Sequence, residues 1–364
     1  MERIDCDHPP GRYGLVLRNS ERIGETPAVS FVSLLVQSEP LMTDFTAIPV
    51  IDIAPLYGPD EGAARRVAAE IRRASIDVGF FYVTGHNTSL ELMHGILEAA
   101  RRFFRMPEDK RQAIKVNPAH RGYVPYAEST LDRKYAVDLK HSFNYAWPFG
   151  AEDPEILAAR PLCGFNQWPA GEEAWRAGVE AYYREVYAVG QKVLEGFALA
   201  LDTRRDFFRD KYQRPLMRTR LLYYPPQAPD PTGRQFGCAP HTDWGAITLL
   251  WQDDVGGLQV QNRAGQWIDA PHIDGAFVVN IGEMLTRWSN DLFVSTPHRV
   301  FNASGRERYS VPTFYDPDWD TVVECLPNCS GPGNPARYPP CIAGEYITAK
   351  YDNAYTYRRK AAVA

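Results

Sequence analysis

Apolar and polar positions along this chain change period near its middle. Residues 48–53 (IPVIDI) have the β-branched character of a strand, and residues 55–62 supply turn formers. Apolar residues at helical spacing then predict a helix over 63–77, a buried strand over 79–84, a second amphipathic helix over 89–104, and a short helix after Pro107. Residues 172–201 carry Ala, Val, Leu and aromatic side chains with few breakers, so one long helix lying against a sheet is expected there. From Leu216 the pattern becomes short apolar runs, at 221–224, 247–251, 257–260, 267–268, 277–281, 298–301 and 309–314, with turn residues such as 263–265 and 304–305 between them. Short strands at this spacing predict an antiparallel sandwich or barrel. The expected class is therefore α+β: a jelly-roll core buttressed by helices, one of them long, in a single domain without internal repeats. Its regions are an N-terminal extension (1–47), a helix-rich part (48–215), the β-rich core (216–320) and a C-terminal segment (321–364).

Composition narrows the function classes. The 364 residues are 45% hydrophobic and 23% charged, ordinary values for a globular protein. A net charge of -5 without a long Lys/Arg run argues against nucleic-acid binding. The six cysteines (Cys6, Cys163, Cys238, Cys325, Cys329, Cys341) are too dispersed for a disulfide framework, which favours a reduced, cytoplasmic protein. Cys325, Cys329 and Cys341 lack a nearby fourth ligand for zinc and read as free thiols in a Pro-rich loop. No stretch reaches the roughly 20 apolar residues that span a bilayer, and the mildly apolar run at 29–36 has no cleavage site after it, so neither membrane span nor signal peptide is expected.

The candidate chemistry sits in the β-rich half. His241 and Asp243 are two apart, so in extended chain both project from one face and can share an ion. His298, 55 residues beyond Asp243 at the start of a predicted strand, supplies a third ligand. Two imidazoles and a carboxylate form the facial triad that leaves Fe(II) with open positions, whereas zinc is more often closed and tetrahedral. Ten residues on, Arg308 and Ser310 again share a strand face. A guanidinium pairs bidentately with a carboxylate, and the hydroxyl adds a further hydrogen bond. Tyr224 can offer a phenol to the same carboxylate. A doubly charged iron, Asp243, a 2-oxo dicarboxylate and Arg308 together cancel in charge, as a desolvated pocket requires.

These motifs, IPVIDI, GFFYVTGH (79–86), RGYVPY (121–126), LLYYPP (221–226), the His241/Asp243 pair, GGLQV (256–260), VVNIGEML (278–285), STPHRV (295–300) and RYSVPTFYDP (308–317), resemble the isopenicillin N synthase-like family of Fe(II)/2-oxoglutarate oxygenases over residues 48–358. The resemblance implies a double-stranded β-helix (cupin-like jelly roll), Fe(II) on His241, Asp243 and His298, and 2-oxoglutarate chelating the iron with its far carboxylate on Arg308, Ser310 and Tyr224. It implies hydroxylation or desaturation of a small organic molecule by O2, coupled to decarboxylation of 2-oxoglutarate to succinate, in a monomer or small homo-oligomer. Two other readings stand beside it. One is a 2-oxoglutarate-independent oxidase of the isopenicillin N synthase type, and the other is a non-catalytic sensor that kept the pocket. The resemblance puts the segments of Tyr123, Phe143, Trp244, Trp288, Phe314 and Tyr315 around the mouth of the iron site, where they are substrate-pocket candidates. Asn280, polar within an apolar run, is either a group steadying the iron site or a satisfied structural amide. The Pro-rich stretch 327–340 is expected to form a lid.

Overall fold

The computed structural model describes residues 44–128, 137–227, 235–355 and 358, so nearly all of the expected N-terminal extension lies outside the described residues. Strand β1 (Val50–Asp52) pairs in parallel with β2 (Phe80–Thr84), and helix α1 (Glu61–Asp77) connects them. Helix α2 (Leu90–Phe104), the short α3 (Glu108–Gln112), strands β3 (Gly122–Val124) and β4 (His141–Ala146), the one-turn α4 (Pro154–Leu157) and the long α5 (Glu173–Ala200) complete the first half. The second half carries β5 (Arg218–Tyr224), β6 (Cys238–His241), β7 (Ile247–Gln252), β8 (Leu258–Gln261), β9 (Trp267–Asp269), β10 (Phe277–Ile281), the short α6 (Glu283–Trp288), β11 (His298–Val300) and β12 (Arg308–Tyr315). A two-stranded ribbon, β13 (Val322–Val323) with β14 (Cys341–Ile342), leads into α7 (Ala343–Ala354).

Eight strands form the major sheet, in the order β1-β2-β10-β7-β12-β5-β4-β3, and four form the minor sheet, β6-β11-β8-β9. The major sheet takes strands from both halves of the chain, and residues 42–364 form one compact unit. Its two faces do different work, because side chains alternate along each strand. Phe81 and Val83 of β2, Ile247, Leu249 and Trp251 of β7, Phe277, Val279 and Ile281 of β10, and Tyr309, Val311 and Tyr315 of β12 pack into a core with α1, α2 and α5. Their neighbours Phe80, Tyr82, Leu222, Tyr224 and Val278 pack instead with Cys238, Leu258, Val260 and Val300 of the minor sheet. This two-layer arrangement is the expected jelly roll.

Local signals account for the helices. The Asp60 side chain accepts from the Ala63 amide at the start of α1, and Ser89 accepts from the Leu92 amide at the start of α2. Buried positions recur at helical spacing, as in Met93, Ile96, Leu97, Ala100, Phe103 and Phe104 of α2. The first, second and long helices expected from periodicity match α1, α2 and α5 to within two residues at each end. Strands β3, β4 and β6 and helix α7 go beyond the elements that periodicity predicts. The Pro-rich stretch expected to be a lid packs elsewhere: Asn290 Nδ2 donates to the Cys329 and Pro335 carbonyls, and Arg287 donates to the Pro339 carbonyl. It therefore braces the turn after α6.

Gly190 of α5 meets the ring of Tyr315, where an added Cβ would overlap the aromatic carbons. Helix propensity favours alanine there by about 1 kcal/mol, but overpacking a core costs about 1–3 kcal/mol. Gly190→Ala is expected to lower stability by up to about 2 kcal/mol, measured as the shift in a urea midpoint at unchanged m-value. A stabilised variant would contradict this packing.

Candidate active site

The three proposed metal ligands come together where β6 and β11 pair, with His298 directly opposite His241. Their rings stand 4.2 Å apart between centroids, and the edge of Phe80 supports the His298 ring at 5.1 Å. Each Nδ1 faces a backbone carbonyl, His241 that of Ala239 at 2.7 Å and His298 that of Thr296 at 3.2 Å. A proton on Nδ1 satisfies those carbonyls and leaves both Nε2 lone pairs free. Asp243 is held in the same way. Its Oδ2 accepts from Thr248 Oγ1 (2.6 Å) and Asn280 Nδ2 (2.7 Å), leaving Oδ1 at 3.7 Å from His241 Nε2 and 3.8 Å from His298 Nε2. Those separations are too long for hydrogen bonds and suit three ligand atoms around one cation. Burial pushes the His298 imidazole down to about 4 and lowers His241 as well. Burial opposes the Asp243 carboxylate, yet the two imidazoles and its two donors outweigh that and hold it below its usual range. Both imidazoles thus stand neutral and the carboxylate charged, the protonation states that bind a metal. Two nitrogens and one oxygen on one side, with no fourth protein ligand in the cluster among the described residues, fit Fe(II) with open positions.

Arg308 is fully buried, and its hydrogen-bond partners are all neutral: Nε donates to the Gly256 carbonyl (2.6 Å), Nη2 to Gln252 Oε1 (2.7 Å) and Nη1 to Ser310 Oγ (3.2 Å). The guanidinium also lies over the Tyr224 ring, 4.9 Å from its centroid. Asp253, the nearby acid, spends its oxygens on the amides of Tyr309 and Val255. A desolvated cation without a carboxylate partner is costly, and a ligand dianion removes that cost. Burial raises the Tyr224 phenol above its usual range, so it stays protonated and able to donate. The residues therefore fit 2-oxoglutarate.

Both groups open into one cavity between the sheets. His241, Asp243, His298, Arg308, Ser310, Tyr224, Trp244 and Phe314 all line it. The other four substrate-pocket candidates do not. Tyr123, Phe143, Trp288 and Tyr315 are 0–1% exposed and belong to the helix-side core. Tyr315 is an odd-numbered residue of β12 and points away from Ser310 and Phe314, while Phe143 packs on Phe103 and Trp175. Asn280, buried within its apolar run, spends its amide nitrogen on Asp243 Oδ2. Sequence reasoning missed Thr248, Gln252, Lys140, Arg218, Arg220 and Tyr351. Counting back by twos from Tyr224 would have found Leu222, Arg220 and Arg218 on the cavity face, and the same count on β7 would have found Thr248 and Gln252. Tyr351 of α7 arrives from a distant segment and had no local signal.

Residues 48–171 match the family model for the N-terminal region of non-haem dioxygenases of morphine synthesis, and residues 215–317 match that of the 2OG-Fe(II) oxygenase superfamily. A 2-oxoglutarate-Fe(II) type oxidoreductase of Emericella nidulans, hxnY, is 38% identical over 317 residues, covering 85% of this chain and 91% of that protein. A homoarginine-6-hydroxylase of Oryza sativa is 34% identical, covering 85% and 97%. Among solved structures, a full-length Neurospora crassa protein in complex with alpha-KG and thymine superposes with a TM-score of 0.74 at 26% identity, over 87% of this chain and 97% of that one. The double-stranded β-helix, the His-Asp-His cluster and these relatives lead to one conclusion: the chain belongs to the 2OG-Fe(II) oxygenase superfamily and is a dioxygenase that uses Fe(II) and 2-oxoglutarate.

Proposed function

We propose that this dioxygenase hydroxylates a small organic molecule in the central cavity. In this reading His241, Asp243 and His298 hold the iron, while Arg308, Ser310 and Tyr224 bind the far carboxylate of 2-oxoglutarate. The observation that carries it is the pairing, in one cavity, of three clustered ligand atoms with a buried guanidinium whose hydrogen-bond partners are all neutral. Relatives named for work on homoarginine or crystallised with thymine support a small-molecule substrate. Free thiols at all five described cysteines suit a reducing compartment such as the cytoplasm, and no described helix is long and apolar enough to cross a membrane.

Bound iron would supply the centre at which 2-oxoglutarate chelates and O2 is activated, so that loss of CO2 from the cosubstrate is coupled to oxidation of the substrate. The protein's own part is positional. Ala239 and Thr296 fix the imidazole tautomers, and Thr248 and Asn280 aim one Asp243 oxygen at the metal position. Arg308 neutralises the far carboxylate, with Gln252 and the Gly256 carbonyl holding the guanidinium in place. Leu222, Leu250, Leu258 and Val300 wall the cavity with apolar surface and exclude water from the reacting atoms. Trp244 and Phe314 are the aromatic faces left for the substrate.

The test is succinate release from 2-oxoglutarate by protein reconstituted with Fe(II), with and without chelator. Metal-dependent succinate that vanishes in His298→Ala supports the assignment. Substrate oxidation without succinate would turn the reading to a cosubstrate-independent oxidase. Asn280→Ala is expected to weaken metal binding by about 10–100-fold with the fold intact, measured by competition with a chelating dye. Arg308→Lys keeps the charge but loses the planar fork, and calorimetry should show 2-oxoglutarate bound about tenfold more weakly or worse. Trp288→Ala and Phe314→Ala separate core from cavity. The first should cost about 3–5 kcal/mol in denaturant unfolding, while the second should chiefly change substrate turnover. The reverse pattern would mean the two residues are misassigned.

A further inference from the structure

Arg308 is not the only buried guanidinium in the cavity that hydrogen-bonds to no acid among the described residues. Arg220, four residues before Tyr224 on β5, is 8% exposed, lines the cavity and forms no ion pair among the described residues. Its Nη2 donates to Tyr351 Oη at 2.8 Å and lies 3.4 Å from His120 Nε2, Tyr355 adds a side-chain hydrogen bond, and its Nε has no hydrogen-bond partner. His120 brings no charge, since burial and then the surrounding arginines, Arg220 first, push it far below the usual imidazole range. The Arg220 guanidinium stands 4.8 Å from the Phe314 ring centroid and 6.0 Å from those of Tyr351 and Tyr355, an aromatic surround that softens its desolvation without neutralising it. Arg218, on the same strand face, is paired with Asp316, yet its Nε and Nη1 are also without partners. Lys140, the remaining cavity cation, has Asp138 at 2.9 Å. With iron, Asp243, cosubstrate and Arg308 cancelling one another, one positive charge is left among the described residues that line the cavity, on Arg220.

Register says where that charge sits. Gln252 of β7 pairs with Ser310 and Ser310 with Leu222, the row nearest Arg308. Thr248, which holds Asp243, pairs with Phe314, and Phe314 with Arg218, the row nearest the metal ligands. Arg220 and Tyr224 are four strand residues apart, about 13 Å. An anion on Arg220 is therefore a different group from the cosubstrate carboxylate on Arg308, and it lies toward the metal end of the cavity, where a substrate must be.

We propose that the substrate is a monocarboxylate whose carboxylate docks on Arg220, assisted by the unpartnered donors of Arg218, with an apolar body against Phe314 and Trp244. This rests on the preceding reading of the metal and cosubstrate sites. Closing the charge balance is what a carboxylate adds over a neutral analogue of the same shape.

The test is anaerobic calorimetry on the full chain loaded with Fe(II) and 2-oxoglutarate, using phenylacetate, 3-phenylpropanoate and hexanoate, each against its primary amide. At least one acid should bind, about tenfold or more tighter than its amide, the loss expected when one charge-assisted contact in a buried site is removed. Arg220→Gln should erase that preference, and Arg220→Lys should retain part of it, which a role confined to holding Tyr351 would not produce. Titration of 2-oxoglutarate into the same variants reports separately on the cosubstrate site. If 2-oxoglutarate does not bind the wild type, the cosubstrate reading fails, and the acid-over-amide comparison on Fe(II) protein alone decides this inference. Amides binding as tightly as acids, an Arg220→Gln variant that keeps the preference, or no acid binding at all would overturn it.

Discussion

One geometric constraint runs through the molecule: the major sheet is covered on both faces, so each strand must serve two environments at a period of two. On β12, Tyr309, Val311 and Tyr315 fill the core against the helices, while Arg308, Ser310 and Phe314 face the cavity. On β7, Ile247, Leu249 and Trp251 alternate with Thr248, Leu250 and Gln252 in the same way. A slip of one residue would drive a guanidinium into the helical core and an aromatic ring into the cavity. Packing of the helix layer, such as Gly190 against the Tyr315 ring, thus favours the register that assembles the cavity face.

The cavity concentrates charge in a place where charge is expensive, and it manages each group differently. Asp243 is kept ionised by hydroxyl and amide donors on one oxygen, while the other faces the two imidazoles at 3.7 and 3.8 Å. Lys140 and Arg218 carry their own counter-ions, Asp138 and Asp316. Arg308 and Arg220 are placed with neutral partners only, which orients them without satisfying their charge. Lys140 and Arg218 show the pattern of a structural ion pair. The neutral surroundings of Arg308 and Arg220 leave affinity in reserve for a ligand.

Much of this was legible in the sequence because it is local. Helices α1 and α2 announce themselves by caps and periodicity, α5 by periodicity alone, the strand runs from 221 to 314 by apolar alternation, and His241, Asp243, His298, Arg308 and Ser310 by residue type and spacing. What failed depended on direction or distance. Nearness to a motif segment suggests a cavity wall for each of six aromatic residues, yet Tyr123, Phe143, Trp288 and Tyr315 face the helices. Parity along β12 already separates Tyr315 from Phe314. Strand β6 is only four residues long and contains Pro240, and β4 interleaves Ser142 and Asn144 with its aromatic residues, so neither has the look of a strand. Helix α7 has buried positions Ala343, Ile347, Tyr351 and Ala354 at helical spacing, but the Pro-rich stretch before it is the stronger local signal and suggests a lid instead. Its cavity contact through Tyr351 depends on the tertiary fold alone.

The most direct measurement of the account is an anaerobic optical titration of the Fe(II) protein with 2-oxoglutarate, following the weak visible charge-transfer absorption of a chelated 2-oxo acid. The account predicts a saturable band in the wild type that disappears when Asp243 is replaced by Ala. A wild-type protein that binds Fe(II) and 2-oxoglutarate but never develops the band would contradict it, because the two sites would then not share one cavity.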